Sequence, residues 1–104
     1  MPDLRIHSAA ADEAEAAVSW YEAERPGLGR RFQRALDAAL DLLEAGAAPG
    51  VPMPGALGNA GVKRFVLRRF PYDIVFFPGD DEIIVIAFAH HSRRPAYWRH
   101  RLRR

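Results

Sequence analysis

Two stretches with helical spacing of apolar residues, separated by only a few positions, constrain this chain more than any other feature. In the first stretch, four apolar residues at positions i, i+3, i+4 and i+7 form one stripe: Ala14, Ala17, Val18 and Tyr21. In the second stretch, one face is again apolar: Leu28, Phe32, Ala35, Leu36, Ala39 and Leu43. Two helices joined this closely must lie antiparallel, so the sequence predicts a helix hairpin.

Capping and proline chemistry predict where the first helix begins and ends. Ser8 is the expected N-cap, with Asp12 and Glu13 in the first turn, where carboxylates interact favourably with the helix dipole. Pro26 disfavours helical geometry in the residue before it. The first helix should therefore end near Glu24.

The rest of the chain has strand character around one irregular segment. Residues 46–61 contain five glycines and three prolines. They show neither the helical nor the strand spacing of apolar residues, so they should form a mobile surface connection. Turn-forming residues 78–81 should close a hairpin before a fully apolar, central strand. Alternation or β-branched and aromatic content predicts four strands: Leu4 to His7, Val62 to Arg69, Asp73 to Phe77 and Glu82 to Ala89.

Together these elements predict an α+β fold in the order β-α-α-β-β-β with a short C-terminal tail opened by Pro95. The antiparallel helix hairpin should pack on one face of a small, mostly antiparallel sheet. We expect Tyr21, Phe32, Phe65 and Ile86 in the core, and Trp98 against the helix hairpin as an anchor for the tail.

Length and composition limit the function classes that remain. At 104 residues the chain should be one domain, 1–104. There is no cysteine and the four histidines are scattered, so we expect no metal and no cofactor. No window is apolar enough for a membrane span, and the charged N-terminal residues do not resemble a signal peptide. A reducing cytoplasm fits this composition.

Charge is divided unequally between the halves of the chain. Residues 1–52 hold 5 arginines and 9 acids, a balance of −4, whereas residues 53–104 hold 10 Lys/Arg and 4 acids, a balance of +6. The segment from His90 to Arg104 carries 6 arginines and 3 histidines with no acid. The like charges of such a segment repel one another unless an anionic partner neutralises them.

Four short strings of residues occur in the same order as in a known family. They are Trp20-Tyr21-Glu22, Arg25-Pro26-Gly27-Leu28-Gly29, Arg69-Phe70-Pro71-Tyr72 and Arg93-Arg94-Pro95 with Tyr97-Trp98. With these strings the chain resembles toxins of the RelE/ParE superfamily, which type II toxin-antitoxin (plasmid stabilisation) modules hold inactive. The resemblance implies an antitoxin partner in a hetero-oligomer, and a target that is either the translating ribosome with its mRNA or DNA gyrase.

The resemblance transfers the chemistry of the RNA-cleaving members less completely. Those members cut mRNA on the ribosome without metal, mainly with arginine, lysine and a C-terminal tyrosine, which Tyr97 matches. Where they hold an arginine after the tyrosine of the middle hairpin strand, this chain has Asp73, and at the end of the last strand it has His91. His90 and His91 should point to opposite faces. The tentative catalytic pair is therefore Tyr97 and His91.

Three functions remain open at this point: a toxin acting on gyrase, a ribosome-dependent mRNA interferase, and a catalytically inactive binding protein of the same fold. Members of the ParE branch poison gyrase and generally lack the nuclease set, so Asp73 is natural there. The residues expected to contact the target are Arg64, Arg68, Arg93, Arg94 and Arg99.

Overall fold

The computed structural model describes residues 3–102. Its elements are β1 Asp3–Ile6, α1 Ser8–Glu24, α2 Leu28–Glu44, β2 Val51–Pro52, α3 Gly55–Asn59, β3 Lys63–Val66, β4 Tyr72–Pro78, β5 Glu82–His90 and a 3-10 turn Arg99–Leu102. The strands form one sheet in the order β1-β5-β4-β3-β2, in which β1 pairs with β5 in parallel and the other pairs are antiparallel. The predicted α+β fold is confirmed.

The junction between α1 and α2 depends on Glu22, Gly27 and Gly29, which belong to two of the strings described above. The Glu22 carboxylate accepts hydrogen bonds from the backbone N–H groups of Gly27 at 3.0 Å and Gly29 at 3.1 Å, which caps the free end of α2. Gly27 has φ +89°, a conformation that glycine adopts without strain. At Gly29 a Cβ atom would lie 2.6 Å from the carbonyl oxygen of Val18, so only glycine lets the helices approach.

The start of α1 differs from the prediction by one residue. His7, and not Ser8, is the N-cap: its Nδ1 accepts a hydrogen bond of 3.1 Å from the N–H of Ala9. The helix begins at Ser8, which moves Asp12 and Glu13 beyond the first turn. An imidazole can serve as a cap acceptor, and the preference for serine did not anticipate it.

The helix hairpin covers one face of the sheet and forms the larger core. Phe32 and Leu36 of α2 are fully buried there with Ile74, Val85 and Phe88 of the sheet. Tyr21 and Ile86 are buried as expected, and Phe65 is half-buried against this core. Trp20, which lies outside the apolar stripe of α1, is 59% exposed.

The opposite face of the sheet is covered by the C-terminal tail and α3. Trp98 is 2% exposed and packs among Val62, Val75 and Ile86, so the expectation that it lies against the helix hairpin is wrong. A bulge in β5 turns two consecutive residues toward this cluster. Val75 pairs with Ala87, but Phe76 pairs with Val85, which leaves Ile86 as an extra residue, and Ile86 and Ala87 both join this second cluster.

The Gly- and Pro-rich segment 46–61 contains regular structure where a mobile connection was expected. Val51 of β2 pairs with Arg64 of β3 and extends the sheet by one strand. Leu57 of α3 and Met53 pack against the cluster around Trp98. Strands pair through backbone N–H and C=O groups, and every residue except proline supplies both. The side-chain pattern of residues 46–61 therefore did not reveal β2. Between residues 3 and 102, no helix is long and apolar enough to cross a membrane.

Candidate functional site

A basic cavity of about 380 Å³ lies where β5 ends and the tail begins. Three parts of the chain line it with arginine and histidine: β3 contributes Arg64, the end of β5 and the following residue contribute His90 and His91, and the tail contributes Arg93 and Arg94. The structure thus brings together three of the five arginines expected to contact a target. Arg68 and Arg99 are exposed but do not line this cavity.

Asp73 of β4 is the carboxylate that borders this cavity within residues 3–102. One of its oxygens, Oδ1, lies 2.8 Å from Nε2 of His91, and the other, Oδ2, lies 3.9 Å from Nη1 of Arg64. The Asp73 side chain is 16% exposed. The acidic side chain noted in the sequence therefore lies inside the basic cavity, where it contacts the His91 ring and the Arg64 guanidinium.

The two neighbouring histidines have different partners. Both border the cavity, but the ring of His90 packs edge-on against Tyr72, with centroids 5.0 Å apart. Nδ1 of His90 accepts a hydrogen bond of 3.0 Å from the N–H of Ser92. His91, in contrast, bonds to Asp73. Both histidines line the cavity although the sequence predicted that only one of them could enter a single site, and His91 lies one residue beyond the end of β5.

Tyr97 is fixed by a carboxylate from the helix hairpin. Its hydroxyl donates a hydrogen bond to Oε2 of Glu13, in α1. Burial, followed by this bond to Glu13, raises the pKa of the Tyr97 phenol above its ordinary value, so the phenol stays protonated. The guanidinium of Arg93 lies over the Tyr97 ring, 3.9 Å from its centroid, which is a cation–π distance.

Glu13 also binds the 3-10 turn and the sheet. Arg101 donates to Oε1 of Glu13 at 2.8 Å and to Oε2 at 3.1 Å, and it donates to the carbonyl of Ile86 at 3.1 Å. The backbone N–H of Phe88, next to the bulge, donates to Oε1 of Glu13 at 3.1 Å. The Glu13 side chain is 16% exposed and that of Arg101 is 9% exposed. One nearly buried carboxylate therefore ties α1, β5 and the C-terminal tail together.

Sequence reasoning missed this network, although one sign of it was present. Glu13 lies three residues after Ala10 and four before Ala17, both of which are buried, so an acid stands on the stripe of α1 that faces the core. A carboxylate in that position needs a hydrogen-bonded or charged partner. No spacing rule identifies Arg101, 88 residues away, as that partner.

The residues at the cavity can bind anions, and within the described chain no three His, Cys, Asp or Glu residues are grouped in a way that could hold a metal ion. Arg64, Arg93 and Arg94 supply positive charge to one concave surface, and Asp73, bonded to His91, adds a carboxylate. The arrangement suits binding of a negatively charged surface more than proton transfer.

Comparison with known proteins agrees with the fold and the strings of the sequence. The family model described as ParE toxin of type II toxin-antitoxin system, parDE, matches residues 4–95. A solved structure, the chromosomal ParDE TA system from P. aeruginosa, has a similar fold with a TM-score of 0.72 and 21% sequence identity, covering 86% of this chain and 96% of that one. Among curated proteins, none matches this chain significantly. The matched family range ends before Tyr97 and the 3-10 turn.

Proposed function

This chain belongs to the ParE toxin family, the toxin component of type II toxin-antitoxin systems with an antitoxin as its partner, and we propose that it acts on DNA gyrase and does not cleave mRNA. It would do so in the bacterial cytoplasm, released from a hetero-oligomer with the antitoxin. The observation that carries the proposal is the position of Asp73, a carboxylate inside the cavity where a nuclease of this superfamily needs cations for phosphate.

RNA cleavage without metal has three chemical requirements. A base must take the proton of the 2′-hydroxyl, an acid must protonate the leaving oxygen, and cations must stabilise the phosphate. The Tyr97 hydroxyl donates its proton to a hydrogen bond with Glu13, and its raised pKa keeps the phenolate, the form that could act as a base, from being populated. Nε2 of His91 is occupied by Asp73. Both tentative catalytic groups are therefore engaged with carboxylates of the protein itself.

Asp73 also weakens the cavity as a phosphate site. A phosphate about 4 Å from an unanswered carboxylate would be repelled by roughly 4 kcal/mol at an effective dielectric near 20, which is an upper bound. Arg64 and His91 reduce this repulsion, but because each already interacts with Asp73, each is less available to bind a substrate. Arg93 and Arg94 remain as cations without a carboxylate partner within the described residues.

The deciding experiment compares two activities of the purified toxin. We expect loss of supercoiling or accumulation of cleaved DNA with gyrase, and no discrete cuts by primer extension on translated mRNA. The gyrase effect should persist in Tyr97→Phe and in His91→Ala, because neither group performs chemistry. Discrete cuts that vanish in both variants would instead establish an mRNA interferase that uses Tyr97 and His91. A toxin inactive in both assays would be a binding protein of this fold.

The target-contacting surface is proposed to comprise Arg64, Arg68, Arg93, Arg94 and Arg99. Exposed cations that contact an anionic partner make its binding sensitive to salt. We expect Arg93→Ala combined with Arg94→Ala to weaken target binding and flatten its salt dependence. The control is Arg25→Ala combined with Arg30→Ala, which removes the same charge from exposed positions outside the cavity. Equal effects of the two double variants would remove the tail from the interface.

A further inference from the structure

The Arg93 side chain borders two cavities. Besides the basic cavity, a cavity of about 390 Å³ opens beside α1, and the two share His90, Arg93 and Tyr97 in their linings. Arg93 is exposed and forms no ion pair with a carboxylate of residues 3–102. An arginine with open space on two sides and no carboxylate partner has many rotamers available unless another group holds it.

The ring of Tyr97 is the group that holds Arg93. Cζ of the Arg93 guanidinium lies 3.9 Å from the ring centroid, and the face of an aromatic ring attracts a cation at this distance. The next residue, Arg94, is also exposed and lines the basic cavity. Within residues 3–102, however, no aromatic ring lies against its guanidinium. Two adjacent arginines of one cavity therefore differ in that only the first rests on a ring.

The Tyr97 ring is itself fixed by its neighbours. Its hydroxyl donates a hydrogen bond to Glu13, and the following residue, Trp98, is 2% exposed in the core beneath the tail. Arg101, which donates to the same carboxylate at 2.8 Å, has its Cζ 5.3 Å from the ring centroid. A half-buried ring held by these contacts is a rigid support for an exposed side chain.

The backbone before Tyr97 adopts a conformation that costs free energy. Ala96 has φ +58°, in the left-handed region that residues with a Cβ atom rarely occupy. The N–H of Tyr97 donates to the carbonyl of Arg94 at 3.2 Å across this reversal of the chain. Such strain persists only where the surrounding contacts fix the conformation. Here the reversal accompanies the placement of the ring against a side chain four residues earlier.

We propose that Tyr97 is a positioning residue for target binding, whose ring holds the Arg93 guanidinium at the border of the two cavities, where it meets an anionic group of the target. The inference rests on the proposed role of Arg93 in the target-contacting surface. It gives Tyr97 a function that requires no proton transfer. An arginine that is already immobilised loses less side-chain entropy on binding, so removing the ring should weaken binding by about twofold to tenfold.

The test compares Tyr97→Phe, which keeps the ring, with Tyr97→Leu, which removes it. Fluorescence anisotropy at low salt, well below the Tm of every variant, would measure binding to gyrase and to a short single-stranded DNA oligonucleotide. We expect Tyr97→Phe to change the affinity by less than about twofold, and Tyr97→Leu to show the full loss. With Arg93→Ala, Tyr97→Leu should have no additional effect, whereas with Arg94→Ala, the matched control, it should keep its full effect.

Nuclear magnetic resonance would report on the contact directly. The ring current should move the side-chain proton signals of Arg93 upfield in the unaltered toxin and in Tyr97→Phe, but not in Tyr97→Leu. Equal losses of binding in Tyr97→Phe and Tyr97→Leu, or equal coupling of Tyr97 to Arg93 and to Arg94, would overturn the positioning role. If the oligonucleotide series follows the expected pattern but no toxin binds gyrase, the proposed target is wrong and the positioning role stands.

Discussion

Removing the Glu13 carboxylate is the strongest single perturbation of this structure that we can specify. In Glu13→Ala, three donors lose the carboxylate as acceptor: the guanidinium of Arg101, the hydroxyl of Tyr97 and the N–H of Phe88. The first of these is a cation that is nearly buried, and an uncompensated buried charge is costly. The variant should therefore lose far more stability than a surface substitution on the same helix.

The size of the loss can be worked from exposure and the remaining contacts. Breaking a buried ion pair by removing one partner costs about 3–5 kcal/mol. The lower end applies here, since Glu13 and Arg101 keep 16% and 9% exposure and Arg101 keeps its 3.1 Å bond to the carbonyl of Ile86. At about 4–8 °C per kcal/mol for a domain of this size, a loss of about 3 kcal/mol lowers the Tm by about 12–24 °C.

Urea and thermal denaturation followed by circular dichroism would measure this loss. Glu15→Ala is the control, because Glu15 is exposed on the same helix and makes no hydrogen bond or ion pair with the described residues. Glu13→Gln, which keeps an acceptor but removes the charge, should fall between the two. If Glu13→Ala and Glu15→Ala differ in the free energy of unfolding by less than about 1 kcal/mol, the carboxylate does not hold the tail and the reasoning is refuted.

Three further predictions follow from other contacts. Because the pKa of Tyr97 is raised in the folded protein, the phenol ionises first in the unfolded chain, near pH 10. The free energy of unfolding should therefore fall as the pH rises beyond that value, and it should fall less steeply in Tyr97→Phe. Denaturation measured between about pH 8 and 12 would test this. Gly29→Ala, which helix propensity alone would favour by about 1 kcal/mol, should destabilise by about 1–3 kcal/mol because its Cβ meets the carbonyl of Val18 at 2.6 Å; an unchanged Tm would contradict this. Asp73→Ala should bind a single-stranded oligonucleotide about fivefold more tightly, whereas Asp80→Ala, in an exposed turn, should not; fluorescence anisotropy separates them.

The helix hairpin and the order of the other elements along the chain, apart from β2 and α3, were predictable because they rest on local periodicity. The apolar face of α2 contains Phe32 and Leu36, both fully buried, and a three-residue connection leaves one geometry. The face on which Trp98 packs was not predictable. It depends on the bulge at Ile86, which changes the alternation of β5 by one residue and is not encoded by any short motif.

The candidate site was predictable in its charge and not in its contacts. The run of arginines after His90 indicated a basic surface, and Arg93 and Arg94 do line the cavity. Pairing of Asp73 with His91 joins positions 18 residues apart on neighbouring strands, and the Tyr97 to Glu13 bond spans 84 residues. Such contacts depend on tertiary register, which a single sequence specifies only through the whole fold.

The parallel pairing of β1 with β5 affects the order in which parts of this toxin can fold during synthesis. Residues 3–6 pair with residues 82–85, and Glu13 binds Arg101. The N-terminal residues leave the ribosome first, and they cannot make these contacts until residues 82–101 have been synthesised. The helix hairpin uses local contacts and can form early, whereas contacts distant in sequence form late. We therefore expect the hairpin to form while the cavity around Asp73 is still incomplete. Any activity that depends on this cavity should appear only after β5 and the tail have been synthesised.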